Sequence, residues 1–124
     1  MTRLAVEALR YLLYTEWLMR LRGLPALKDS LNRSQSRNHN HSRFATEQIC
    51  RAVDVACVLY FKRVLCLQRS AATAMLLRLH GFPAELVIGV QIIPFRSHAW
   101  VELNRRVIND KPYMPELYRE MERC

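Results

Sequence analysis

Three residues of this chain, Cys66, His98 and Asp110, are of the types that together carry acyl-transfer chemistry. A thiol needs a nearby imidazole to take its proton and return it to a departing amine, and that imidazole needs a carboxylate or amide to fix its tautomer. Cys66 stands where a helix is expected to begin, after a break at Lys62 to Leu65. Unpaired N–H groups and the helix dipole at such a start stabilise negative charge, which makes Cys66 a candidate nucleophile. His98 opens "HAWVEL", in which His98, Trp100 and Glu102 share one strand face and Ala99, Val101 and Leu103 the other. Asp110 closes "RVIND". Each also has a structural alternative: a small buried apolar residue for Cys66, a satisfied strand histidine for His98, a turn-former before Pro112 for Asp110.

Whether His98 and Asp110 meet depends on the hairpin between them. A two-residue turn at Asn104 and Arg105 sets them on opposite faces, because a slip of one residue inverts every side chain. An odd-numbered connection or a bulge brings them to one face, so the pairing calls for such a hairpin at Leu103 to Arg106. For an oxyanion, the backbone N–H of Cys66 is one expected donor. Gln68 is a candidate side-chain donor, a solvated helix position being its ordinary reading.

The remaining candidates are weaker. Cys50 and Cys57 lie seven residues apart on one helical face and suit burial; Cys124, at the chain end, is incidental. His39 and His41 have no carboxylate or cysteine at ligand spacing, so no metal site is expected. His80 precedes Gly81 and reads as a helix C-terminal cap or favourable charge.

The elements that must position these residues are mostly helices first. From Thr2 to Arg22, Leu4, Ala8, Leu12, Thr15 and Met19 recur at helical spacing, and Gly23 with Pro25 supplies a stop. "LPALKDSLNRS" has the pattern of a short second helix, and the polar, aperiodic "SQSRNHNHSR" reads as a linker. A helix resumes at Thr46, whose hydroxyl is the expected cap, with Ile49, Val53, Ala56 and Tyr60 as its buried stripe. The next runs from Cys66 to His80 and ends at Gly81 and Pro83. "ELVIGVQIIPF", "HAWVEL" and "RVIND" then read as three antiparallel strands. The tail "KPYMPELYREMERC" carries a short helical stretch with no assigned role. The class is α+β: N-terminal helices, then a nucleophile helix packed on a small antiparallel sheet. Residues 1–45 form a helical region and linker, 46–124 the core, in one compact domain overall.

The 124 residues carry 19 Lys and Arg against 11 Asp and Glu, a formal charge of +8. That balance favours an acidic partner, a nucleic acid or an anionic membrane surface. Without a known module or base-stacking aromatics it does not call for nucleic acid. Four cysteines without metal-knuckle or disulfide-scaffold spacing fit a reduced, cytoplasmic setting. Arg3, Glu7, Arg10, Glu16, Arg20 and Arg22 interrupt the apolar N-terminus, so neither a signal peptide nor a membrane span is expected.

"CLQRSAATAMLLRLHGFPAELVIGV" (Cys66 to Val90) followed by "PFRSHAWVELNRRVIND" (Pro94 to Asp110) resembles the transglutaminase-like domain of the leader peptidases of lasso peptide biosynthesis. In that family a cysteine opens a helix ending in a glycine turn, a "GV" strand follows, and an aromatic residue precedes "HAWVE" and a strand carrying aspartate. The resemblance implies a transglutaminase-like (papain-like) core, with Cys66 as nucleophile, His98 as general base and acid, and Asp110 orienting His98. It further implies a cytoplasmic bacterial cysteine protease, without cofactor, that removes the leader from a ribosomally made precursor. The implied partners are the precursor, a separate leader-binding protein and the ATP-dependent lasso cyclase. Nothing before Thr46 reads as an added β-rich leader-binding module, which suits the split arrangement. Two other readings stay open: an acyltransferase using the same residues, with an amine in place of water, and a non-catalytic basic adaptor for peptide or nucleic acid.

Overall fold

The computed structural model describes residues 2–33 and 45–124, and the expected linker with His39 and His41 lies outside the described residues. Four helices come first: α1 (Thr2–Leu21), α2 (Leu24–Arg33), α3 (Thr46–Leu59) and α4 (Cys66–Leu79). Strands β1 (Glu85–Gln91), β2 (Arg96–Leu103) and β3 (Arg106–Val107), the one-turn helix α5 (Met114–Leu117) and strand β4 (Arg119–Arg123) complete the chain. This is an α+β arrangement, helices followed by a four-stranded antiparallel sheet ordered β3-β2-β1-β4.

The α1 stripe is buried through Leu4, Ala8, Leu12 and Thr15, with Leu18 rather than Met19 continuing it most deeply. Gly23 ends α1 with a left-handed φ of +78°, its N–H donating to the Leu18 carbonyl at 3.0 Å. Thr46 is not the cap of α3. The chain enters the helix one residue earlier, at Ala45, whose N–H donates to Gln48 Oε1 at 2.9 Å. Ile49, Val53, Ala56 and Tyr60 are buried as the spacing requires, although Tyr60 falls just past the last helical residue.

Helix α4 is the centre of the molecule. It packs against α1 and α3 on one side and β2 and β1 on the other, and the run from Ser70 to Arg78 is wholly buried. The central position buries polar residues of the helix along with its apolar ones, among them Ser70, Thr73 and Arg78. Gly81, at φ +90°, closes it, with Phe82 N–H returning to the Leu77 carbonyl at 2.9 Å. His80 caps that end as expected and also meets Glu7 of α1 across 3.1 Å. Buried Arg78 ties the same end to the carbonyls of Ala84 and Leu31.

The sheet departs from the expected three strands. "RVIND" contributes only Arg106 and Val107 to the ladder, and the charged tail "REMER" forms a fourth strand beside β1. Glu85 and Glu102 face each other across β1 and β2, a repulsive pairing on its own. Arg123 of β4 relieves it by reaching both carboxylates, at 3.1 and 3.0 Å. Among the described residues no helix is long and apolar enough to cross a membrane.

Candidate active site

Cys66 is the first residue of α4, as its place in the sequence requires. Leu65 precedes it in extended conformation, no side chain caps the helix, and its first turn carries no acidic residue. The first helical bond runs from Arg69 N–H to the Leu65 carbonyl at 3.0 Å. The N–H groups of Cys66, Leu67 and Gln68 therefore have no acceptor within the helix, and no acidic residue of its own first turn offsets the positive end of its dipole. Burial, seconded by the Asp54 charge, pushes the Cys50 thiol up to about 11. Burial likewise raises Cys57 and Cys124.

The hairpin after His98 is neither odd-numbered nor bulged. Asn104 and Arg105 form a two-residue turn, with φ of +54° and +65°, and Leu103 pairs with Arg106, Glu102 with Val107. A type I′ geometry of this kind suits the right-handed twist of the flanking strands. In that register a continued strand would set Asp110 beside Ala99, on the face away from His98.

The two meet because the strand stops. Ile108 still donates its N–H to the Val101 carbonyl at 3.0 Å, but the Val101 N–H is taken at 2.7 Å by the side chain of Asn109, Oδ1, in place of a strand carbonyl. Asn109 Nδ2 donates to Ser70 Oγ at 3.1 Å, and Ser70 Oγ donates to the Ala99 carbonyl at 3.0 Å. Arg69 Nη2 holds the Asn109 carbonyl at 3.1 Å. Residues of the first two turns of α4 thus clasp the chain at Asn109 against β2. Asp110, freed from the ladder, turns over the strand edge to place Oδ2 2.6 Å from His98 Nε2.

The side chains of His98 and Asp110 are 24% and 16% exposed, sheltered yet open to a substrate. Burial by itself pushes the Asp110 carboxyl up, but the His98 hydrogen bond, the Lys111 N–H at 2.8 Å and the charges of His98 and Arg69 outweigh it. The net position is below the ordinary carboxylate value. When the ring is neutral, the ionised Asp110 accepts from Nε2–H and Nδ1 is the nitrogen left to act as a base.

Of the three candidates, the structure brings His98 and Asp110 into direct contact. It sets Cys66 at the start of the helix whose next turn, through Arg69 and Ser70, holds the Asp110 segment. Among the described residues no hydrogen bond joins the Cys66 thiol to the His98 ring, whose hydrogen bond is to Asp110. Gln68 is not a solvated position and is not available to an oxyanion: it is 6% exposed and donates to the Leu12 carbonyl of α1 at 2.9 Å. Arg69, Ser70 and Asn109 were not foreseen. The sequence signal for Asn109 was its type, since a short amide competes with the backbone for ladder bonds.

A family model described as the transglutaminase-like superfamily matches residues 9–123. A stretch of 49 residues is 49% identical to the microcin J25-processing protein McjB of Escherichia coli, covering 40% of this chain and 24% of that protein. No solved structure matches.

Proposed function

This chain belongs to the transglutaminase-like superfamily, and on that premise we propose that it is a cysteine protease that cleaves the leader from a ribosomally made lasso peptide precursor. The observation that carries the reading is the 2.6 Å contact between His98 Nε2 and Asp110 Oδ2, next to the Asn109 segment that Arg69 and Ser70 of the Cys66 helix hold. The likeness to a microcin-processing protein supports the substrate class.

In the proposed reaction His98 Nδ1 takes the Cys66 proton and the thiolate attacks the scissile carbonyl. The developing oxyanion is received by the free N–H of Cys66, a donor of a kind typically contributing about 3 kcal/mol to barrier lowering. The imidazolium, steadied by Asp110, gives its proton to the leaving amine, which is the new N-terminus of the core peptide. Water, deprotonated by the same nitrogen, then releases the leader as a free acid and restores the thiol. The steps use no cofactor. A separate leader-binding protein presents the precursor, and the ATP-dependent lasso cyclase consumes the freed amine, all in the bacterial cytoplasm.

The test is incubation of the protein with a lasso precursor and its leader-binding protein, read by mass spectrometry. Separate leader and core fragments, absent with Cys66→Ala, are expected. A crosslinked or amine-capped product would identify an acyltransferase, and precursor binding without any covalent change, equal in wild type and Cys66→Ala, an adaptor.

A further inference from the structure

The imidazole of His98 is gripped by more than its carboxylate partner. One hydrogen bond to Nε2 fixes a point on the ring and leaves its plane free to turn. That plane is set on the sheet face opposite α4. Tyr118 stacks on His98 with centroids 5.5 Å apart and planes 26° apart, and Trp100 lies nearly parallel at 6.3 Å and 27°. The two aromatic rings also touch each other, at 6.2 Å.

Trp100 cannot drift. It is 1% exposed, and its Nε1–H donates to Glu102 Oε2 at 2.9 Å. Glu102 is itself 4% exposed and held by Arg123 at 3.0 Å, and Arg123 is braced by Glu85 and Glu120. The room for this arrangement comes from Gly89, which pairs directly with His98 across β1 and β2. A Cβ at Gly89 would lie 2.7 Å from Trp100 Cη2 and 2.8 Å from Tyr118 Cβ, closer than packed carbons come. Three strands and the residue before β4 thus build one socket around one imidazole.

Resting on the protease reading above, we propose that Tyr118 and Trp100 are positioning residues, admitted by Gly89 and anchored through Glu102 and Arg123, that hold the His98 ring with Nε2 on Asp110 and Nδ1 available to the thiol. Neither touches the reacting atoms; both act through His98. Aromatic faces prefer such offset stacking, and turning the imidazole out of plane would require moving a packed ring. A misaligned base costs rate without weakening substrate binding, and displacements of about an ångström can lower rate roughly a hundredfold.

The experiment uses the full chain with 15N-labelled histidine and compares Tyr118→Leu, Tyr118→Met and Tyr118→Phe. The first readout needs no substrate: the rate at which the His98 Nε2 proton, shielded in its bond to Asp110, exchanges with water. The second is cleavage of a lasso precursor. Tyr118→Leu and Tyr118→Met should speed exchange at least about tenfold and lower kcat roughly ten- to a hundredfold with KM unchanged, while Tyr118→Phe, which keeps the ring, restores both. Unchanged exchange in a folded ringless variant, or failure of Tyr118→Phe to restore it, overturns the proposal. Absence of cleavage by the wild type tells against the protease reading alone, and the exchange rates still decide the role of Tyr118.

Discussion

The two faces of the sheet are built on opposite plans. Towards α4, Leu86, Ile88, Ala99 and Val101 join a continuous apolar core with α1, α2, α3 and α4. On the other face, among the described residues, Val87, Trp100 and Met114 form a small cluster, flanked by Val107 and Tyr118, and around it stand His98, Glu102 and Arg123. The first face lowers free energy by removing apolar surface from water, without demanding exact geometry of any one residue. The second commits buried polar groups to specific partners, an expensive device unless every partner is present. The difference separates stability from placement: the helical face holds the protein together, and the polar face, on our proposal, aims one imidazole.

The strongest test of that division is on the helical face. Leu76, fully buried in α4, should cost about 2–5 kcal/mol of stability when replaced by Ala. The kcat of the fraction that remains folded should not change, as denaturant titration and precursor cleavage would show. A fall in kcat at unchanged KM would break the division. Next is the seam between the faces. Asn109→Ala leaves the Val101 N–H without its acceptor, which costs roughly 1–3 kcal/mol. It also releases Asp110, so kcat should fall along with stability, and Asn109→Asp, which keeps the accepting oxygen, should recover more of the stability than Ala does.

The smallest effect is electrostatic. Asp110 titrates below its ordinary value of 3.8, so its contribution to stability is present above that pH and is lost as pH falls through the lower folded value. The stability difference between wild type and Asp110→Asn should therefore shrink from roughly pH 5 to pH 2. A difference that is flat or grows on acidification would mean that the carboxylate gains nothing from His98.

The same contrast explains what could be read in advance. The helices were legible because their placement follows from repeated apolar spacing and from Gly23 and Gly81 as terminators, and Cys66 fell at the first residue of α4. The polar face was not. Its strand β4 reads as a charged tail, since the reason for "REMER" to pair with β1 is the need of Glu85 and Glu102 for Arg123, a tertiary requirement with no local pattern. The hairpin carried the sharpest lesson. The two-residue turn should have parted His98 from Asp110, and periodicity has no way to register that the Asn109 side chain replaces a backbone acceptor and ends the strand one step early. His98 and Asp110 were thus visible by type and order, and their contact depends on how Asn109 ends the strand.

The central claim, that Cys66 forms the acyl-enzyme, is tested most directly by rapid acid quench of the protein with a lasso precursor and its leader-binding protein, followed by digestion and mass spectrometry of the cysteine peptides. The account predicts the leader joined through its terminal carbonyl to Cys66, a mass gain equal to the leader acid less one water, and no such adduct on Cys50, Cys57 or Cys124. Cleavage that proceeds in Cys66→Ala, or an adduct on another cysteine, would contradict it.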